Sequence, residues 1–254
     1  MSTLLRALLI LLASTNAFAQ THDTIRTGRP GQAIGPYVVG TGYLQLQSGY
    51  DHAWQNGDVK SQSALQSNVI RYGVDERFEL SSVVNWQHDS ISTPERATKE
   101  GVSDFQLGFR YNISDRPNGI VPGFGIQTRF KLTNVSSDYR SEDVAPVIIF
   151  VANHSLTDTL SLGTNLGVAY SGNDTEPKYT FVSNLSFPVA EKWSSFFEFY
   201  GHSQDAIAFV YADTGLAYAL NNDLQLDGYF GGGSNHGVTE AFVSVGFSWR
   251  MKTR

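Results

Sequence analysis

Along most of the chain, apolar and polar residues alternate with a period of two. RFELSSVVNWQHD, residues 77–89, sets Phe78, Leu80, Ser82, Val84 and Trp86 on one face and Glu79, Ser81, Val83, Asn85 and Gln87 on the other. Successive side chains of a strand point to opposite sides of its sheet, so this stretch predicts a strand with one apolar and one polar face. In SDFQLGFRYNI, Phe105, Leu107, Phe109 and Tyr111 oppose Asp104, Gln106, Gly108, Arg110 and Asn112. GFGIQTRFKL, LSLGTNLGVAY and EAFVSVGFSWRM repeat the pattern. Beyond the N-terminus no long segment has a helical period, and no apolar run reaches the roughly 18 residues of a membrane helix.

Twelve strands are predicted, at 42–54, 63–73, 77–88, 102–113, 120–132, 145–154, 159–170, 178–188, 193–202, 207–220, 223–231 and 240–251. Short turns join alternate pairs, at GVDERFEL near 75, NISDRPNGI near 116, SLTDTLSL near 158, PVAEKWSS near 191 and LNNDLQL near 222. The other connections read mostly as longer polar loops: QNGDVKSQ from Gln55, DSISTPERATKEG from Asp89, NVSSDYRSED from Asn134, SGNDTEP from Ser171 and GGSNHGVT from Gly232, with a short SQDA at Ser203. Antiparallel hairpins closed into a barrel would carry the turns at one end and the loops at the other, as outer-membrane barrels do. Several strands reach the roughly 9–11 tilted residues needed to cross a bilayer. The predicted class is all-β: a transmembrane antiparallel up-and-down β-barrel of about twelve strands.

Two features decide which face meets lipid. The polar face is rich in Gly, Ser, Asn and Gln and poor in Lys, which suits a lumen better than the surface of a soluble sheet. Tyr50, Trp54, Tyr72, Trp86, Tyr111, Tyr170, Trp193 and Trp249 gather near strand ends, as interfacial girdles do. A soluble exported all-β protein is the alternative. PVIIFVAN from Pro146 does not alternate well enough to assign its faces. In SFFEFYGH from Ser195, Glu198 belongs inside and Phe197 and Phe199 outside, because a charge on the lipid side costs about 2 kcal/mol or more at mid-depth.

Composition narrows the function classes. The formal charge of -6 and pI near 5.5 give no electrostatic case for nucleic acid. Without cysteine there is no disulfide, thiolate metal site or cysteine nucleophile. Residues 1–19 carry Arg6, a short apolar stretch and Ala17-Phe18-Ala19, the order of a secretory signal peptide. The expected organisation is therefore signal peptide 1–19, an irregular segment 20–41, a barrel 42–251 and a tail 252–254. The irregular segment, with Arg26, Arg29, Pro30 and Pro36, reads equally as a periplasmic tail or a partial lumenal plug.

Parity places Asp51, Arg71, Glu79, Asp104, Arg110, Arg129, Lys131, Glu198, Asp213, Asp227 and Arg250 toward the lumen. Such charges either pair across strands and stiffen the barrel or line a polar path that orients a solute. Asp104 and Arg129, at similar distances from the turn near 116, are expected to pair. No catalytic, cofactor or metal site is predicted. GHSQD at Gly201 lacks the last glycine and the helix of a nucleophile elbow, and the six histidines have no ligand spacing. Gly231 to Gly233 reads as a flexible loop entrance rather than a phosphate loop.

IRTGRPGQAIGP, GTGYLQLQSGY, VIRYGVDERFEL, TGLAYALNNDLQLDGYFGGG and the closing VSVGFSWR, in that order, resemble the bacterial outer-membrane barrel family named for the meta-pathway of phenol degradation. The resemblance covers residues 24 to 250. Its members are described only as candidate transporters, and the family name points to aromatic or otherwise apolar compounds. Where they end on an aromatic after an arginine, this chain continues Arg250-Met251-Lys252-Thr253-Arg254, leaving Phe247 and Trp249 as the assembly signal. The resemblance implies an outer-membrane location, contact with lipid and the barrel assembly machinery, and passive uptake of a small-molecule solute. A closed structural or adhesion barrel acting through its loops is the alternative; a lipid-modifying barrel enzyme is a third reading.

Overall fold

The computed structural model describes residues 24–92, 96–114, 121–204, 207–235 and 237–253; the expected signal peptide lies outside them. Alternation becomes twelve antiparallel strands: β1 (Tyr43–Asn56), β2 (Lys60–Gly73), β3 (Phe78–Ser92), β4 (Arg96–Ser114), β5 (Gly123–Lys131), β6 (Ala145–Ser155), β7 (Ser161–Ala169), β8 (Lys178–Ala190), β9 (Trp193–Gln204), β10 (Ile207–Asn221), β11 (Leu224–Asn235) and β12 (Val238–Lys252). Each pairs with its sequence neighbours, and β1 pairs with β12 from Tyr43↔Lys252 to Asn56↔Thr239. Closure leaves no free sheet edge, the condition for a sheet to cross lipid. Lys252, expected in a tail, is a paired strand residue.

The apolar face is outside. Leu80, Val84, Leu166, Phe197, Phe199, Phe230 and Val245 are exposed, while their neighbours Glu79, Asn165 and Glu198 are buried. A continuous apolar belt on this scale would be an aggregation site in water, and is the lipid face of a membrane barrel. Tyr72, Trp193 and Trp249 mark its lower edge, with Trp193 packed on Tyr218 at 4.7 Å between ring centroids; Trp54, Trp86 and Tyr179 mark the upper. The strand whose faces the pattern did not resolve is settled by pairing. Val151 is 2% exposed and inward, and Phe150 is 59% exposed and outward. Both faces of β6 are apolar, so alternation is invisible there.

The outer connections are shorter than expected. β1 and β2 run on until only residues 57–59 separate them, and β9 and β10 until only 205–206 do. Most of QNGDVKSQ, DSISTPERATKEG and GGSNHGVT is strand, as are Ser203 and Gln204 of SQDA, so the loop reading of these residues is corrected. Their polarity reflects hairpin ends that rise above the lipid rather than irregular backbone. Among the described residues of the outer connections, 132–144 and 170–177 remain as extended loops. The first covers the outer part of β4, which outlasts β5: Leu132 N–H donates to Phe105 O at 2.8 Å and Ser136 N–H to Val102 O at 3.0 Å. Burial and the hydrogen bond to Asp89 raise the pKa of Tyr139 in this loop.

Val245 sits midway along β12, between Trp249 and the Ala241 that pairs with Trp54. Val245→Arg is expected to lower unfolding stability in bilayers by about 2–4 kcal/mol. Ser67→Ala, on the lumenal side of β2 at a similar depth, should cost far less. Equal effects in urea titrations of vesicle-embedded protein would contradict the assignment of faces.

A lumen divided by the N-terminal segment

The segment from 24 to 42 forms no strand, being broken by Gly28, Pro30, Gly31, Gly35, Pro36, Gly40 and Gly42. Its backbone polar groups have no ladder to join, and inside a barrel each needs another partner. Inward side chains from around the ring supply them. Arg110 Nη1 donates to the carbonyls of Gly35 (3.1 Å) and Tyr37 (3.0 Å), and Asn112 Nδ2 to that of Pro36 (3.1 Å). Arg71 Nη1 and Nη2 donate to Arg26 O and Tyr37 O, both at 3.0 Å. Across the lumen, Asn165 bonds both Ile34 N–H and Ile34 O, and Gln225 Nε2 donates to Arg29 O.

The clasp on the β2–β4 side is ionic. Arg71 grips Glu79 with two hydrogen bonds of 2.8 Å, and Arg110 Nε lies 3.6 Å from Glu79 Oε1. Val39 N–H donates to Glu79 Oε2 at 3.0 Å, and Arg110 Nη2 to Gln127 Oε1 at 2.6 Å. Glu79, Arg110 and Gln127 are direct cross-strand partners, so the cluster follows from register. On the opposite side Glu198 accepts the backbone N–H of Gln32 (2.6 Å) and Ala33 (2.9 Å) and Asn184 Nδ2 (2.9 Å). Arg29 closes the third side, with Nη2 2.9 Å from Asp227 Oδ1 and 2.9 Å from Ser244 Oγ. Its guanidinium occupies a slot left by Gly49 and Gly246, where an added Cβ would lie 2.0 Å and 2.6 Å from it.

The segment divides the lumen in two. An outer cavity of about 390 Å³ lies among Arg29, Asp51, Arg129, Tyr200, Tyr229 and Phe242. An inner one of about 460 Å³, toward the short turns, lies among Arg26, Tyr37, Asn153, Ser186, Ser195 and Gln225. Arg29 and Ile34 line both.

The eleven charges chosen by parity fall into separate groups. Arg71, Glu79, Arg110, Glu198 and Asp227 hold the N-terminal segment or its Arg29. Asp51 and Arg129 line the outer cavity. Asp213 sits beside Glu198 across β9–β10, and Lys131 ends β5. Arg250 is at the inner rim, bonded to Asp223 of a turn at 2.7 Å and stacked over Tyr43. The expected Asp104–Arg129 pair does not form. Arg129 is opposite Gly108 and Lys131 opposite Gln106, so Asp104 lies beyond the end of β5, pairs with Asn85 on the other side, and accepts from Gln106. Gly231 to Gly233 is likewise strand, not loop: a Cβ on Gly233 would press Tyr211, and one on Gly231 would press Asp213. Parity missed Arg29, Asn165 and Asn184, because an irregular segment has no parity and amides were not weighed.

An even-stranded closed barrel with an apolar belt, a polar lumen and a lumenal segment of its own chain is an outer-membrane β-barrel. The family model described as "Putative MetA-pathway of phenol degradation" matches residues 27–251, and the chain belongs to that family. An outer membrane channel from Pseudomonas putida F1 superposes with a TM-score of 0.68 at 11% identity, covering 87% of this chain and 99% of that one. The NanC porin gives 0.55 at 10% identity, covering 80% and 100%. The transport unit of the autotransporter AIDA-I from Escherichia coli gives 0.52 at 10%, covering 82% and 89%. At these identities the likeness is one of fold. No curated protein matches the sequence.

Removing one member of a buried ionic cluster leaves the others uncompensated. Glu79→Gln is expected to cost about 3–5 kcal/mol in unfolding free energy. The check is urea unfolding in detergent, followed by tryptophan fluorescence; a loss below about 1 kcal/mol, the range of exposed pairs, would mean that the clasp is solvated.

Proposed function

We propose that this protein is a passive outer-membrane channel for a small molecule, with the N-terminal segment as its constriction. The observation that carries the reading is the pair of cavities, one on each side of the segment and sharing Arg29 and Ile34 as lining. A barrel serving only as a scaffold has no need of opposed vestibules. Both are walled by side chains that replace water's hydrogen bonds to a solute: Gln47, Ser63 and Ser67 above, and Ser155, Ser161 and Asn184 below. Tyr200, Tyr229 and Phe242 add an aromatic surface above that admits an apolar group. The family and the channel-like relatives support the same reading.

The reading contains no chemical step. The first four residues of GHSQD fall in β9, where His202 stacks on Phe209 at 5.0 Å and its neighbour Ser203 faces away from it. The apolar belt fits outer-membrane lipid. β12, with Phe247 and Trp249, is the strand expected to meet the assembly machinery.

Refolded protein beginning at residue 20 should give discrete current steps in planar bilayers. Deleting 24–40 should raise the conductance severalfold. Arg129→Ala should shift ion preference toward cations, and Asp104→Ala toward anions. If the barrel inserts but stays silent with and without the segment, it is closed, and a role through its outer loops replaces this one.

A further inference from the structure

The outer cavity carries opposite charges on opposite walls, and the charges that project into it divide by whether they are already used. Arg29 is held by Asp227 and Ser244, and Arg110 by two carbonyls and Gln127. Arg129 and Asp51 form no hydrogen bond or ion pair among the described residues; Arg129 Nε and Asp51 Oδ1 are buried orphans. Glu240 has a single contact, a 3.5 Å hydrogen bond from Tyr211 OH. A buried polar atom without a partner is costly, and its presence beside a cavity marks a place where a ligand can supply the missing bond.

Register separates the two signs. Arg129 is on β5, and in a ring of twelve strands β5 stands opposite β11. The acids and the rings share the arc from β9 to β1. Tyr200 pairs with Tyr211, which neighbours Gly233 and through it Glu240; Phe242 pairs with Ala53; Tyr229 pairs with Ser244, the partner of Asp51. One wall of the cavity thus offers a free guanidinium; the other offers carboxylates among Tyr200, Tyr229 and Phe242, together with Arg29, which is already paired to Asp227 and lies 5.5 Å over the Tyr229 ring. A simple anion at Arg129 would be faced by Asp51 and Glu240, and a simple cation at the rings by Arg129. A molecule bearing both charges satisfies both walls. Aromatic faces favour a methylated ammonium, whose charge is diffuse and whose surface is apolar. At about 390 Å³ the cavity falls within the range of small-molecule sites.

We propose that the outer cavity binds small zwitterions, the carboxylate on Arg129 and the ammonium among Tyr200, Tyr229, Phe242, Asp51 and Glu240. This deepens the channel reading and rests on it for its purpose, but not for its test. Binding is followed by ligand-detected saturation-transfer NMR on the refolded barrel in micelles, which needs no current. Three probes isolate the charges: trimethylglycine, its uncharged-end isostere 3,3-dimethylbutyrate, and choline, which lacks the carboxylate. Trimethylglycine should bind roughly tenfold more tightly than either control. Arg129→Gln should reduce it to the level of choline, and Asp51→Asn should bring it toward that of dimethylbutyrate. Neither variant removes a contact, and heat-modifiable migration in gels confirms that each has folded. Equal binding of the three probes, or indifference to both substitutions, overturns the site. A silent barrel that binds trimethylglycine keeps the site and sinks the channel; a conducting barrel that does not bind it sinks the site alone.

Discussion

The rest of the structure depends on satisfying the backbone of a strandless segment inside a narrow tube. Each carbonyl and N–H from Arg26 to Val39 that cannot join a ladder costs free energy unless a side chain reaches it. Arg71, Arg110, Asn112, Asn165, Gln225, Glu79 and Glu198 reach it, and they come from both halves of the ring. The segment therefore binds the walls together as well as filling the bore. Burying so many polar groups is tolerable because the charges of the cluster bond one another and the segment's backbone. Glu79 alone accepts from Arg71 and Val39 and faces Arg110.

The same arrangement explains why the lumen is neither an open pore nor a packed core. The segment fills the middle, where strands from every side supply partners. Above and below, the walls carry Ser, Gln, Asn and Gly in place of bulk, so space remains. Glycine works here as absent volume: the slot at Gly49 and Gly246 lets the Arg29 guanidinium lie against the wall beside Asp227. Of the inward charges that the segment leaves unclaimed, Asp51 and Arg129 line the outer cavity, where a solute can reach them.

Much of the architecture was legible in the chain. Strand number, lipid-facing parity and the inward position of Glu198 all follow from a period of two in a sheet with unlike faces. The reading weakened where the physics stops distinguishing residues. β6 has two apolar faces and shows no alternation, and polar hairpin ends resemble loops because both face water. The Asp104–Arg129 expectation assumed a symmetric hairpin. Arg129 instead faces Gly108, so the two strands pair about a centre C-terminal to residue 116, and a turn read from composition does not fix the register.

By itself the sequence determined that this is a barrel and which side meets lipid, because alternation and the cost of charge in hydrocarbon are local rules. It left open whether the segment before the first strand hangs free or enters the lumen, since irregular backbone has no pattern to read. Only the tertiary structure decided that. The partners of its backbone lie far away in sequence, Asp227 for Arg29 and Glu198 for Gln32, and only closure of the ring brings them together.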